Sequence, residues 1–599
     1  MNQAPATARA WTALTEALAR HPEAWQALGR DLTEQHLALW QQMVDSANTQ
    51  SPAATSGAPT QGEAVPGSPA PAAAVDATAV NAAADAAVHA ASDAALAAAV
   101  AADRRFNQPP WQSHPWFDYL RHAHLLNTLW MDRAIEAAQL DPERERHTRF
   151  FLRQWLDAMS PANFAHTNPE VMALAAQTGG DSLARGLQRL RADLERGALT
   201  MTDENAFEIG RNLALTPGAV IHRNALVELI HYRPMTGRVH ARPLVIVPPF
   251  INKYYILDLQ PQNSFVRFAL EQGFNVFLLS WRNVPVELGH LRWDDYAERG
   301  VLESIDIARE VSGSDKVCAL GFCVGGTLLS TALALAAARG QQPAASTTLL
   351  ATMLDFSDVG EIGVYIDRDY VESCEQRFSV SAAPAVMSGR DLAFTFASLR
   401  ANDLIWRFVV DHWLKGKPPE PFDLLYWNSD GTNLPGALYA WYLRQMYFEN
   451  NLRVPGRVQL SGLPIDLRQI RSAWYLLATE EDHIVPWRTA WLARGLLRGA
   501  REFVLGGSGH IAGVINPAVR NRRHYYTGSA RPKAGAGRAR PAGADDWLAG
   551  AQRHAGSWWT HWAAWAKRRA GRQVNAPCTL GSAVHAPIAE APGLYVRER

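Results

Sequence analysis

Six consecutive residues, Gly321-Phe322-Cys323-Val324-Gly325-Gly326, set a thiol among glycines. They follow an apolar run, Lys316-Val317-Cys318-Ala319-Leu320, and precede a helix-forming one that begins at Thr327. Strand, Gly-x-nucleophile-x-Gly, helix is the grammar of a nucleophile elbow, with cysteine where serine is usual. The turn is tight enough that side chains flanking the nucleophile would strike the neighbouring strand and helix, which accounts for the glycines. A thiol at a helix N-terminus is biased toward thiolate. Covalent acyl transfer is the chemistry that follows. Cys318 lies within the strand and reads as inert core. A buried structural cysteine is the bland alternative for Cys323, but it leaves the strand-turn-helix context unexplained.

An elbow needs an acid and a histidine, in the chain order nucleophile, acid, His. His510 closes Gly506-Gly507-Ser508-Gly509-His510, just after the last apolar run, and is the candidate base. Asp482, in Thr479-Glu480-Glu481-Asp482-His483, follows the preceding run and is the candidate acid. Asp355 is the rival acid, one strand earlier. His483 is a rival base, although its place beside Asp482 makes it hard to aim at Cys323. An oxyanion hole requires two donors. The backbone N–H of Val324 is one. The other is expected from Pro248-Pro249-Phe250-Ile251-Asn252-Lys253-Tyr254-Tyr255, at Ile251 or Asn252.

Six apolar runs must position these groups: 244–247, 275–279, 316–320, 347–352, 473–478 and 502–505. Continuous apolar strands alternating with helical stretches mean a buried, mostly parallel sheet. With the elbow, that is an α/β-hydrolase fold. The stretch 357–465, rich in Trp, Tyr and Asn, reads as an inserted helical cap. The expected organisation is a helical segment over 1–48, an Ala/Pro-rich low-complexity linker over 49–105, a helical domain over 106–204 and the catalytic domain over 205–599. The chain has 599 residues with 58 basic and 58 acidic side chains, so its balanced charge argues against a nucleic-acid partner. Four cysteines give neither a disulfide framework nor metal spacing. The first ten residues lack a secretory pattern, and no apolar run is long enough to span a membrane, so an intracellular location is expected.

Longer matches identify a resemblance. The elbow, Pro248 to Leu259, Glu481-Asp482-His483-Ile484-Val485-Pro486-Trp487 and Gly509 to Pro517 resemble polyhydroxyalkanoate synthases of class I, the poly-3-hydroxybutyrate type. Ser280 to Asn283, Trp293 to Tyr296, Asn428 to Gly436 and Asp157 to Phe164 agree, so the resemblance runs from about 106 to the C-terminus. It implies an acyltransferase that polymerises (R)-3-hydroxyacyl-CoA, above all 3-hydroxybutyryl-CoA, and releases CoA. It implies a cytoplasmic homodimer at the surface of the growing polyester granule, without a cofactor. Cys323 resembles the family's nucleophile, His510 its base, and Asp482 the carboxylate that helps activate the substrate 3-hydroxyl. The Ala/Pro-rich stretch and the basic segment 527–545 depart from the family pattern, away from these motifs. A Cys thioesterase or polyester depolymerase on the same scaffold, and a silent granule-coat protein, are the competing functions. Arg282, Arg400 and Lys253 are cations available to CoA phosphates, or to ordinary salt bridges. Trp547, Trp558, Trp559, Trp562 and Trp565 read either as a polymer-binding surface or as the packed face of a C-terminal helix.

Overall fold

The computed structural model describes residues 4–50, 93–379, 383–528 and 543–599. The chain divides into two units, residues 1–199 with 400–418, and residues 200–399 with 419–599. Most of the low-complexity stretch, 51–92, and most of the basic segment, 529–542, lie outside the described residues. Among the described residues, no helix is long and apolar enough to cross a membrane.

The first unit is helical. Its helices include Ala4–Leu18, Pro22–Gln50, Pro115–Ala137, Pro142–Ala158 and Asp181–Arg196. Residues 93–102 are also helical, and Leu96 joins a core with Phe106, Trp111, Leu125 and Leu126. Residues 400–418, from the stretch expected as cap, belong to this unit for a visible reason. The Trp413 indole N–H donates to Asp193 at 2.8 Å, Lys415 pairs with Glu170 at 2.7 Å, and Gly186 packs against the Trp413 carbonyl.

The second unit is built on an eleven-stranded sheet. Its strands are β1 (Gly218–Arg223), β2 (Val227–Tyr232), β3 (Leu244–Val247), β4 (Val276–Trp281), β5 (Val317–Phe322) and β6 (Ala344–Leu350). They continue with β7 (Ala473–Thr479), β8 (Arg501–Gly506), β9 (His524–Thr527), β10 (Gln552–Ala555) and β11 (Ala589–Glu590). The order is 10-9-8-7-6-5-3-4-2-1-11. The six apolar runs are β3 to β8, and they form the parallel centre. The antiparallel flanks escape the pattern because their residues are mixed. β2 is wholly buried yet carries Glu228 and His231, and β10 is a polar edge. Between β4 and β5 the chain crosses to the other side of β3. In open parallel sheets such a switch point opens a crevice at the strands' C-terminal ends. Cys323 follows β5 there, and the 248–255 segment follows β3.

The five C-terminal tryptophans are all buried. Four lie on the helix Trp558–Lys567, whose aromatic face packs on Phe265, Phe274 and Tyr475. Of the two readings of these rings, the packed face is the one observed: they are core. Two of them also brace the site. The indole N–H groups of Trp558 and Trp559 donate to the carbonyls of Gly513 and Val514 at 3.0 and 2.9 Å, at the end of the short helix His510–Val514. Those carbonyls lack partners within the helix, so the indoles fix the element that carries His510.

Asp258, in the segment after β3, is buried, and that burial raises its carboxyl to about 6. Thr216 and Ser264 each donate to Oδ1 at 2.6 Å, opposing the rise. A carboxyl raised in the fold holds its proton longer than in the unfolded chain. Stability should therefore fall as pH rises from about 4 to about 6. The cost at neutral pH is of order 1–3 kcal/mol. In Asp258→Asn, thermal melts across that window should lose this decline; a variant with an unaltered pH dependence would contradict the assignment.

Candidate active site

Cys323 sits between β5 and the helix Val324–Ala338 with φ +52° and ψ −128°. A non-glycine residue in that region is strained by roughly 1–3 kcal/mol, which the surrounding packing must hold in place. The glycines show how. A Cβ on Gly321 would meet the Gly326 backbone, and one on Gly325 would meet the Pro248 carbonyl. Strand, helix and the 248–255 segment thus converge within backbone contact of the elbow. The Cys323 N–H donates to the Leu350 carbonyl at 2.9 Å, tying the elbow to β6. The thiol is half-buried, whereas Cys318 is buried in β5, where burial pushes it up to about 11.

Asp482 and His510 meet at the ends of β7 and β8. The imidazole Nδ1 lies 2.7 Å from Asp482 Oδ2, and both side chains are nearly inaccessible, at 5% and 0%. Thr479 Oγ1 donates to the same oxygen, while the N–H groups of Ile484 and Val485 donate to Oδ1 at 3.0 and 2.8 Å. Burial alone would raise Asp482, but the His510 charge and these donors outweigh it and hold the carboxyl below its ordinary range. Burial likewise disfavours the imidazolium, yet the Asp482 charge, and then Cys323, raise His510 well above its ordinary value. With Nδ1 on Asp482, Nε2 is the nitrogen left for Cys323, whose thiol is among the groups that raise the ring. The ring also stacks on Phe322, with centroids 5.7 Å apart. The Glu481 N–H donates to Ser508 at 3.1 Å, locking the acid's turn to the base's turn.

The rival acid is engaged elsewhere. Asp355 Oδ1 accepts from Ser357 N and Asn450 Nδ2, both at 2.9 Å, so it anchors the stretch around Asn450. Asp482 pairs with His510. Two candidate cations are also occupied. Lys253 is buried against Asp430, and Arg282 pairs with Glu598 at 3.1 Å. Arg400 is exposed and belongs to the helical unit.

Val324 opens the helix after Cys323, with its N–H among the unpaired donors of that end. The carbonyls of Phe250 and Ile251 both accept from Thr432, at 2.7 and 2.9 Å. In a trans peptide the N–H points opposite to the preceding C=O. The N–H groups of Ile251 and Asn252 therefore face away from Thr432.

Comparison with known proteins gives the family. Residues 102–269 match the model for the N-terminus of poly-beta-hydroxybutyrate polymerase, and residues 242–517 match the alpha/beta hydrolase fold. The chain is 48% identical over 499 residues to poly(3-hydroxyalkanoate) polymerase subunit PhaC of Cupriavidus necator, spanning 83% of each. It is 40% identical over 502 residues to the corresponding subunit of Rhizobium meliloti, spanning 83% of this chain and 80% of that one. It is 36% identical over 499 residues to poly(3-hydroxyalkanoate) polymerase 1 of Ectopseudomonas oleovorans, spanning 83% and 87%. The chain belongs to the poly(3-hydroxyalkanoate) polymerase family. It is an acyltransferase on an α/β-hydrolase scaffold.

Sequence reasoning missed the aromatic wall beside Cys323. Tyr442 precedes the π-helical turn Leu443–Phe448 and Tyr447 lies within it, and the two rings pack edge to face at 5.3 Å. Phe356 packs on Tyr447 at 5.1 Å, and Trp293 stacks on Tyr442 at 5.0 Å. Desolvation first, then neighbouring groups that include Cys323, raise both phenols, so they stay protonated. The aromatic density of 439–448 was the available signal, but helical spacing does not tell which rings face a distant elbow.

Proposed function

We propose that this chain polymerises (R)-3-hydroxyacyl-CoA, with 3-hydroxybutyryl-CoA the preferred substrate, through an acyl-enzyme on Cys323. The observation that carries the reading is the buried His510–Asp482 pair beside a cysteine held at a strained elbow. His510 Nε2 takes the thiol proton, and the thiolate attacks the thioester carbonyl. The N–H groups of Val324 and Ile251 receive the developing oxyanion, with Asn252 the alternative second donor. The tetrahedral adduct collapses, the C–S bond to CoA breaks, and CoA leaves with the proton from His510. One thioester replaces another, so loading is nearly an even exchange. The 3-hydroxyl of a further acyl unit then gives its proton to His510 and attacks the Cys323 thioester, whose C–S bond breaks as the Cys323 sulfur recovers the proton from His510. Ester formation from a thioester is downhill and drives chain growth. Water must be kept from the acyl-enzyme, and the wall of Tyr442, Tyr447, Phe356 and Trp293 supports that exclusion. The family likeness supports a homodimer at the granule surface in the cytoplasm.

Incubating the purified protein with (R)-3-hydroxybutyryl-CoA tests the reading. Stoichiometric CoA release with insoluble polyester is expected. Release of CoA with free 3-hydroxybutyrate would instead assign a hydrolase, and no CoA release from hydroxyacyl-CoA of any chain length would overturn both.

A further inference from the structure

The segment between β3 and Tyr255 is held by a residue far along the chain. Lys253 Nζ, only 1% exposed, sits 3.0 Å from Asp430 Oδ1 and donates to the backbone carbonyl of Glu598 at 2.6 Å, across 345 positions of sequence. Asp430 Oδ2 accepts from the Tyr255 hydroxyl at 2.9 Å, and the Trp427 indole N–H donates to the Lys253 carbonyl at 2.7 Å. The last residues are themselves pinned to the sheet. β11 pairs with β1, and the buried carboxylate of Glu228 accepts from the N–H groups of Leu594 and Tyr595 at 2.9 and 3.0 Å. Arg282 pairs with Glu598 and lies over the Tyr595 ring at 5.1 Å.

A buried ammonium is tolerated only with partners, and here one partner is a carboxylate and the other a carbonyl from the tail. The arrangement spends this ion pair two residues from Ile251. The other ties on the segment, Trp281 Nε1 to the Pro248 carbonyl at 3.0 Å and Thr432 to the Phe250 and Ile251 carbonyls, fix its first half. Lys253 closes the second half. We infer that Lys253, clamped between Asp430 and the Glu598 carbonyl, is a positioning residue that sets the Ile251–Asn252 N–H groups against the oxyanion formed at Cys323. This rests on the acyl-transfer reading of Cys323, and the chain's last residues thereby become part of the active site's support.

The test separates oxyanion chemistry from thiolate chemistry. Alkylation of Cys323 by iodoacetamide is a displacement that forms no oxyanion. Acylation by p-nitrophenyl butyrate does form one, and it needs no CoA, so its outcome is independent of the native substrate. Lys253→Met, and the charge-neutral Lys253→Met/Asp430→Asn pair in case the single variant fails to fold, would be compared with the parent chain. The rate of p-nitrophenolate release at saturating ester should fall roughly 10- to 100-fold with little change in KM, while alkylation stays within about twofold. Acylation at the parental rate in a folded variant would overturn the inference. So would acylation and alkylation falling together, because that is the signature of a collapsed elbow. Absence of CoA release by the parent chain would count against the polymerase reading alone.

Discussion

Cys323→Ala should abolish CoA release and polymer formation, with activity down roughly 10⁴- to 10⁶-fold, as expected when a covalent nucleophile is removed from a site whose other members act through it. The thiol occupies a backbone conformation that only the surrounding packing sustains, and alanine can keep that conformation, so the fold should persist. Cys578→Ala, at an exposed position, should leave the rate unchanged. CoA release by Cys323→Ala within tenfold of the parent chain would mean that the chemistry lies elsewhere.

Asp482→Asn should lower the rate by roughly 10²- to 10⁴-fold and also shift its pH dependence. The carboxylate is held below its ordinary range, so its contribution to stability is present above that range and is lost as pH falls through the lowered value. The imidazole is raised, so its contribution is present below the ordinary histidine value and is lost as pH rises through the raised one. The two share one ion pair, and the window between these limits is where it holds. Without the carboxylate charge, burial governs His510 and favours the neutral ring. The acid limb of the rate profile should then move to lower pH even as the maximum falls. Rate profiles of both proteins over pH 5 to 9 decide this, and a limb that stays in place would contradict the pairing.

The geometry of the candidate site was legible because each part carries its reason locally. Gly321 and Gly325 are needed where backbones touch, so they mark the elbow in the sequence itself. His510 and Asp482 stand just after apolar runs, where a parallel sheet delivers its functional residues. The six central strands were legible for the same reason: burial on both faces writes a continuous apolar run. The flanking strands were not, since Glu228 and His231 interrupt β2 and are answered by Arg223, by the tail and by Asn275. Residues 400–418 could not be assigned to the helical unit from their own pattern, because the Trp413–Asp193 and Lys415–Glu170 bonds join segments more than 200 positions apart. Sequence separation likewise hides how Trp293 and Phe356 complete the Tyr442–Tyr447 wall and how Glu598 grips Lys253. Long-range packing decides such contacts, and local periodicity carries no record of it.

The central claim is a covalent acyl group on Cys323. Mixing the protein with one equivalent of (R)-3-hydroxybutyryl-CoA, quenching in acid and sequencing the proteolytic peptides by mass spectrometry tests it most directly. The account predicts one or more 3-hydroxybutyryl units on the peptide containing Cys323, with none on Cys318, Cys374 or Cys578. CoA release with an unmodified Cys323, or an acyl group on another residue, would contradict it.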